Sequence, residues 1–108
     1  MGDRNGRTFA TGTGNIATTV TPDGSFQLEE ISLKLSAAGA ANTLTITLDA
    51  LAGAAYDEVL LSQDMTAVIN LNWTPVRPRE YANGDAIVVA WTNGSSRTYG
   101  LKIRYKMT

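Results

Sequence analysis

The side chains in this chain that could do chemistry are carboxylates, lysines, arginines, hydroxyls and phenols, because the sequence contains neither histidine nor cysteine. Ser-His-Asp and Cys-His nucleophiles, thiolate chemistry, disulfides, zinc fingers and imidazole metal sites are thereby excluded. Carboxylates remain. Asp57, Glu58 and Asp64 form the densest acidic group apart from Glu29-Glu30, and oxygen ligands at loop ends are what calcium requires. The Asp, Asn and Gly spacing of a calcium loop is missing, so these residues read as solvated strand ends. A carboxylate pair could also hydrolyse a glycosidic bond, but that reaction needs a deep groove, which a chain of 108 residues has little material to build. No catalytic, cofactor-binding or metal-binding residue is therefore assigned, and the chemistry expected is binding and assembly.

Binding candidates fall into three groups. Lys102, Arg104 and Lys106 alternate along one segment and so form a basic row on one face of a strand. Such a row suits an acidic protein partner or a phosphate backbone, although it also reads as the solvated side of a terminal strand, where lysine discourages edge pairing. Tyr56, Tyr81 and Tyr99 lie beside turns and are the aromatic candidates for an exposed surface, including one that stacks on sugar rings. Trp73 and Trp91 stand in phase with apolar strand positions and are assigned to the core. Arg4, Arg7 and Phe9 lie in the N-terminal stretch and could make charge-assisted and apolar contacts. Nine basic against ten acidic residues give a formal charge of −1, without the positive surplus that a nucleic acid or an anionic membrane attracts. Gly12-Thr13-Gly14 lacks the lysine and helix of a phosphate loop, and Pro75-Val76-Arg77-Pro78 reads as a rigid crossover although it fits P-x-x-P.

The elements that must position these residues are strands. Thr43–Asp49 alternates Leu44, Ile46 and Leu48 with polar residues at a strict period of two. Strands are also expected over 16–21, 26–35, 56–62, 67–73, 86–92 and 98–107. Apolar parity flips across Glu29-Glu30, which predicts a β-bulge there or a break into two strands. Turns are expected at Pro22-Asp23-Gly24, at Asn83-Gly84-Asp85 and, as a hairpin, at Asn93-Gly94-Ser95-Ser96. The Ala-rich segments 36–42 and 50–55 are too short and glycine-broken for helices and read as loops. Seven or eight strands without a convincing helix predict an all-β, single-domain antiparallel sandwich over 16–108, jelly-roll or Ig-like. The expected inward set is Leu28, Ile31, Leu33, Leu35, Leu44, Ile46, Leu48, Val59, Leu61, Ile69, Leu71, Trp73, Ile87, Val89, Trp91, Leu101, Ile103 and Tyr105. Residues 1–15 carry four glycines and almost nothing apolar, which predicts a flexible arm that orders only against a partner. Neither a signal peptide nor a membrane-spanning run is legible.

The segments Phe26-Gln27-Leu28-Glu29-Glu30-Ile31, Leu44-Thr45-Ile46-Thr47-Leu48-Asp49, Tyr56-Asp57, Trp73-Thr74-Pro75, and Gly84-Asp85 through Thr98-Tyr99-Gly100-Leu101 resemble those of small virion proteins of tailed bacteriophages and prophages. The resemblance covers most of the chain and involves no catalytic motif. It implies a non-enzymatic structural protein of jelly-roll type, with head decoration or cement ahead of a tail component. It further implies a homotrimer bound to a major capsid or other virion protein, made in the bacterial cytoplasm and located in the virion. The competing class is a carbohydrate-binding or adsorption module of a tail or fibre.

Overall fold

The computed structural model describes residues 4–39, 41–76 and 79–108. Nine strands form among them: β1 (Arg4–Gly12), β2 (Ile16–Val20), β3 (Phe26–Leu35), β4 (Thr43–Asp49), β5 (Glu58–Asp64), β6 (Asn70–Trp73), β7 (Glu80–Tyr81), β8 (Ala86–Trp91) and β9 (Tyr99–Met107). One sheet has the order β1-β9-β3-β6, with β7 also on β3, and the other has the order β2-β8-β4-β5. Every strand pair is antiparallel. Apart from the hairpin β4–β5, the chain changes sheet at nearly every connection, so the two sheets carry matching orders. That is the jelly-roll arrangement. It settles the choice left open by the sequence, since an Ig sandwich keeps its first two strands in one sheet.

The alternation of apolar residues works as expected where it is strict. Leu44, Ile46 and Leu48 of β4 are buried between the sheets with Leu28, Ile31, Leu33, Leu35, Ile87, Val89, Trp91, Leu101 and Ile103. The register of β3 on β9 shifts between Leu28 and Glu30, which is the predicted bulge. The extra residue returns Ile31 to the inner face, and Leu28 and Ile31 are both buried. Ile16, Val20, Phe26, Met65, Tyr81 and Tyr99 complete the core.

Five expectations need correction. Residues 4–12, read as an arm, pair over their whole length with β9, from Arg4 opposite Met107 to Gly12 opposite Tyr99. A ladder needs main-chain donors and acceptors rather than apolar side chains, and Gly6 leaves room for the Tyr105 ring above it. Residues 1–3 lie outside the described residues, as does Pro78 of the P-x-x-P segment. Asn93–Ser96 is a corner between sheets and not a hairpin, because β8 pairs with β2 and β4 whereas β9 pairs with β1 and β3. The expected strand 67–73 begins only at Asn70, since Ala67 has a positive φ of 64° and the chain turns there to drive Met65 into the core. Val59 and Ile69, expected inside, are exposed. A register shift opposite Ile46/Thr47 pairs Ile46 with Leu61 and Thr47 with Val59, which puts Val59 on the outer face.

The corner is held by Asn93, a buried polar side chain. Its amide donates to the carbonyls of Thr13 (3.2 Å), Gly14 (3.2 Å) and Arg97 (2.7 Å), and its Oδ1 accepts from the Arg97 N–H at 3.0 Å. The Asn93 N–H donates to Asn15 Oδ1 at 2.9 Å. One residue therefore ties the β1–β2 and β8–β9 turns together, and so fixes the end of the sandwich where β1 and β9 meet.

Candidate interaction surface

The alternation in β9 places Lys102, Arg104 and Lys106 on the outer face of the β1-β9-β3-β6 sheet, and the register supplies their neighbours. Arg7, Arg104 and Glu30 lie in one row across β1, β9 and β3. Glu30 pairs with Arg104 at 2.9 Å, which offsets the two adjacent guanidinium groups. The next row is Phe9, Lys102, Ser32 and Asn72, and the one after it is Thr11, Gly100, Lys34 and Asn70. Lys106 stands opposite Asn5 and Gln27. Phe9 is 68% exposed at the edge of this basic face. Arg4 begins β1 opposite Met107, with its side chain outside the described residues.

Gly100 leaves a gap in that face. A hollow of about 270 Å³ opens between it and Phe9, Ala10, Thr11, Leu101 and Lys102. A second, of about 330 Å³, opens on the Lys34 side against Leu35, Ser36, Thr98 and Tyr99. Their shared members are Thr11 and Gly100. The position was legible in the sequence as a glycine where the alternation Tyr99, Leu101, Ile103 calls for an outward polar side chain, but it was not singled out.

The β2-β8-β4-β5 sheet differs in charge. Its strands hold no lysine or arginine, only Asp49, Glu58 and Asp64. The other sheet, with β7, carries six basic residues against three acidic ones, a surplus of three positive charges. A nearly neutral chain is thus divided into a positive side and a negative side. At one corner of the negative side, Asp57 Oδ1 accepts from the Ala50 N–H at 2.8 Å and Asp85 Oδ1 from the Leu51 N–H at 3.0 Å. Those bonds gather exposed Leu51, Tyr56 and Val59 among Asp49, Asp57, Glu58 and Asp85. Glu58 forms an ion pair with Arg79, whose hydrogen bond holds the Glu58 carboxyl below its ordinary range. Asp64 is likewise held low, chiefly by the Thr66 N–H donated to its Oδ1 at 2.9 Å. These three acids of the densest group therefore take separate partners, and among the described residues they do not converge on one point.

The tyrosines separate. Tyr56 is exposed, as expected, on the single 3₁₀ turn Ala54–Tyr56 before β5. Tyr81 and Tyr99 are not surface residues. Tyr81 packs its ring 5.3 Å from Phe26 with the Arg79 guanidinium 5.0 Å from the ring centre, and burial pushes its hydroxyl pKa up. Tyr99 is buried beneath Gly12 in the pairing of β1 with β9. Proximity to a turn misled because both side chains point inward from strand positions. Trp91 is buried with its indole N–H donated to the Ala41 carbonyl at 3.2 Å, and Trp73 packs partly buried against the core. These aromatic residues do not build a shared exposed platform.

No protein-family model and no curated protein matches the chain. Among solved structures, it superposes on a chain of the acidic stable capsid structure of Helicobacter pylori bacteriophage KHP30, with a TM-score of 0.56 and 13% identity over 97% of this chain and 93% of that one. The two chains share a fold. Weaker likenesses are to the Yersinia pseudotuberculosis-derived mitogen, with a TM-score of 0.46 and 16% identity over 98% of this chain and 87% of that one, and to a chain of the virus-like particle of the extra small virus of the giant freshwater prawn Macrobrachium rosenbergii, with a TM-score of 0.39 and 11% identity over 100% and 81%.

Proposed function

We propose that this chain is a non-enzymatic structural protein of a bacteriophage particle, a decoration or cement protein that stabilises the shell through contacts with the major capsid protein and with copies of itself, in a trimer. The observation that carries this reading is the jelly-roll sandwich, superposed over 97% of its length on a chain from a phage capsid structure. The surface supports it. One side is basic and the other acidic, and the acids of the densest group are bound up separately. A cement protein needs such faces, because its work is to span neighbouring subunits by burying area and matching charge.

The test uses particles from a phage or prophage carrying this gene and from a derivative deleted for it. Deleted particles are expected to release their DNA at a lower temperature, and purified protein added back is expected to restore the original release temperature. Equal release temperatures with and without the protein would refute the cement role. Specific binding on a glycan array, abolished by Tyr56→Ala, would replace it with the adsorption reading.

A further inference from the structure

Gly100 sits in β9, a strand paired on both sides, where glycine loses more conformational freedom on folding than alanine would. Some other glycines are required by space: a Cβ on Gly6 would strike the Tyr105 ring and one on Gly39 the Met65 backbone. A Cβ on Gly100 would meet nothing within 4 Å. The fold does not need glycine there. Its bare backbone leaves the two hollows on the outer face. The register is unbroken at Gly100, so it marks no bulge, and close approach by a ligand or another backbone is the other use of a strand glycine. The lining is mostly apolar, with Phe9 and Lys102 beside one hollow and Lys34 beside the other. The complementary ligand is an aromatic side chain flanked by carboxylates.

This chain carries such a group. Tyr56, 64% exposed, is followed by Asp57, by Glu58 in its ion pair with Arg79 and by exposed Val59, at the edge of the sheet whose strands have no basic residue. We infer that this chain docks head-to-tail on a second copy of itself, the Tyr56–Val59 corner of one copy seated in the Gly100 hollow on the basic sheet of the next. The charge division of the two sheets supplies the complementarity, and a buried tyrosine at the centre is the type of side chain that dominates protein interfaces. Hollow and corner lie on opposite sheets, so two copies cannot satisfy both contacts across a two-fold axis. The contact is heterologous, and it repeats until it closes into a ring or extends as an array. The inference deepens the assembly part of the proposed function and rests on it in taking a second copy as the partner.

The experiment is sedimentation velocity on the full chain over a concentration series, with circular dichroism to check the fold. Wild type is expected to sediment above the monomer mass of 11.5 kDa, less so when salt is raised from about 50 mM to about 500 mM. Gly100→Trp fills the hollow and Tyr56→Ser removes the plug, and each is expected to weaken association by roughly tenfold or more. Mixed, the two variants are expected to give a one-to-one dimer and nothing larger, because Gly100→Trp retains the corner and Tyr56→Ser the hollow. Gly100→Thr is the second variant should tryptophan disturb the strand. Wild type that stays monomeric, association unchanged by both substitutions, or a mixture that stays monomeric would each overturn the inference. Unchanged association would leave the particle role standing, whereas absence of the protein from purified particles would remove that role and leave this contact standing.

Discussion

Replacing Asn93 by alanine is expected to be among the most destabilising single changes away from the apolar core. The side chain is 4% exposed and makes one accepting and three donating contacts. Its two amide hydrogens are shared among three carbonyls, so it is fair to count about three hydrogen bonds, each with a net value of about 0.5–1.5 kcal/mol. Alanine also leaves the Arg97 N–H and its carbonyl without their partner in a part-buried corner. The expected loss is about 2–4 kcal/mol, which in a domain of this size lowers the melting temperature by roughly 10–20 °C. Gln63→Ala is the internal control. It removes one exposed bond to the Asp64 carbonyl and should cost under about 1 kcal/mol. Urea unfolding followed by tryptophan fluorescence, at one protein concentration and with the slope compared between variants, measures both. An Asn93→Ala loss no greater than that of Gln63→Ala would refute the view that this residue holds the corner together.

Three further predictions follow from other parts of the sandwich. Gly6→Ala should displace the Tyr105 ring and break its edge contact with Phe26, costing roughly 1–3 kcal/mol in the same assay, whereas Gly100→Ala should cost nothing or stabilise slightly. Glu30→Gln should destabilise by up to about 1 kcal/mol by leaving Arg7 and Arg104 adjacent, and Arg7→Thr should recover part of that loss in a double-mutant cycle. Glu58 and Asp64 have folded-state pKa values below their ordinary ones, so the stability they contribute is present above the unfolded values of 4.5 and 3.8 and is lost as pH falls through the lower folded values. Tyr81, held high, gives the opposite limb: its contribution is complete below its unfolded value of 10.0 and is lost as pH rises through the folded value. Glu58→Gln should flatten the acid limb and Tyr81→Phe the alkaline limb of stability measured against pH.

The sequence reported the sandwich well where one face of a strand is buried and the other wet. Strict alternation placed β4 correctly to the residue, and broken parity at Glu29-Glu30 located the bulge. It reported less where main chain alone does the bonding. β1 has too few apolar residues to announce itself, yet its nine-residue ladder needs only amides, carbonyls and a glycine beneath Tyr105. Alternation also fails at irregularities, which is why Val59 came out on the wrong face. The basic row of Lys102, Arg104 and Lys106 was readable because it lies on one strand. Its companions Arg7, Phe9, Lys34 and the Gly100 gap come together only through the order β1-β9-β3, a long-range pairing with no local signature. Tyr81 and Tyr99 mark the reverse error, since a turn nearby says little about which way a strand residue faces.

The most direct test of the account is the copy number of this chain in purified phage particles, measured by quantitative mass spectrometry against the major capsid protein. A structural role as decoration or cement predicts many copies in a fixed ratio to the shell, retained through washing and lowered in particles carrying Gly100→Trp. Wild-type particles that lack the chain, or that hold it only in trace and variable amounts, would contradict it.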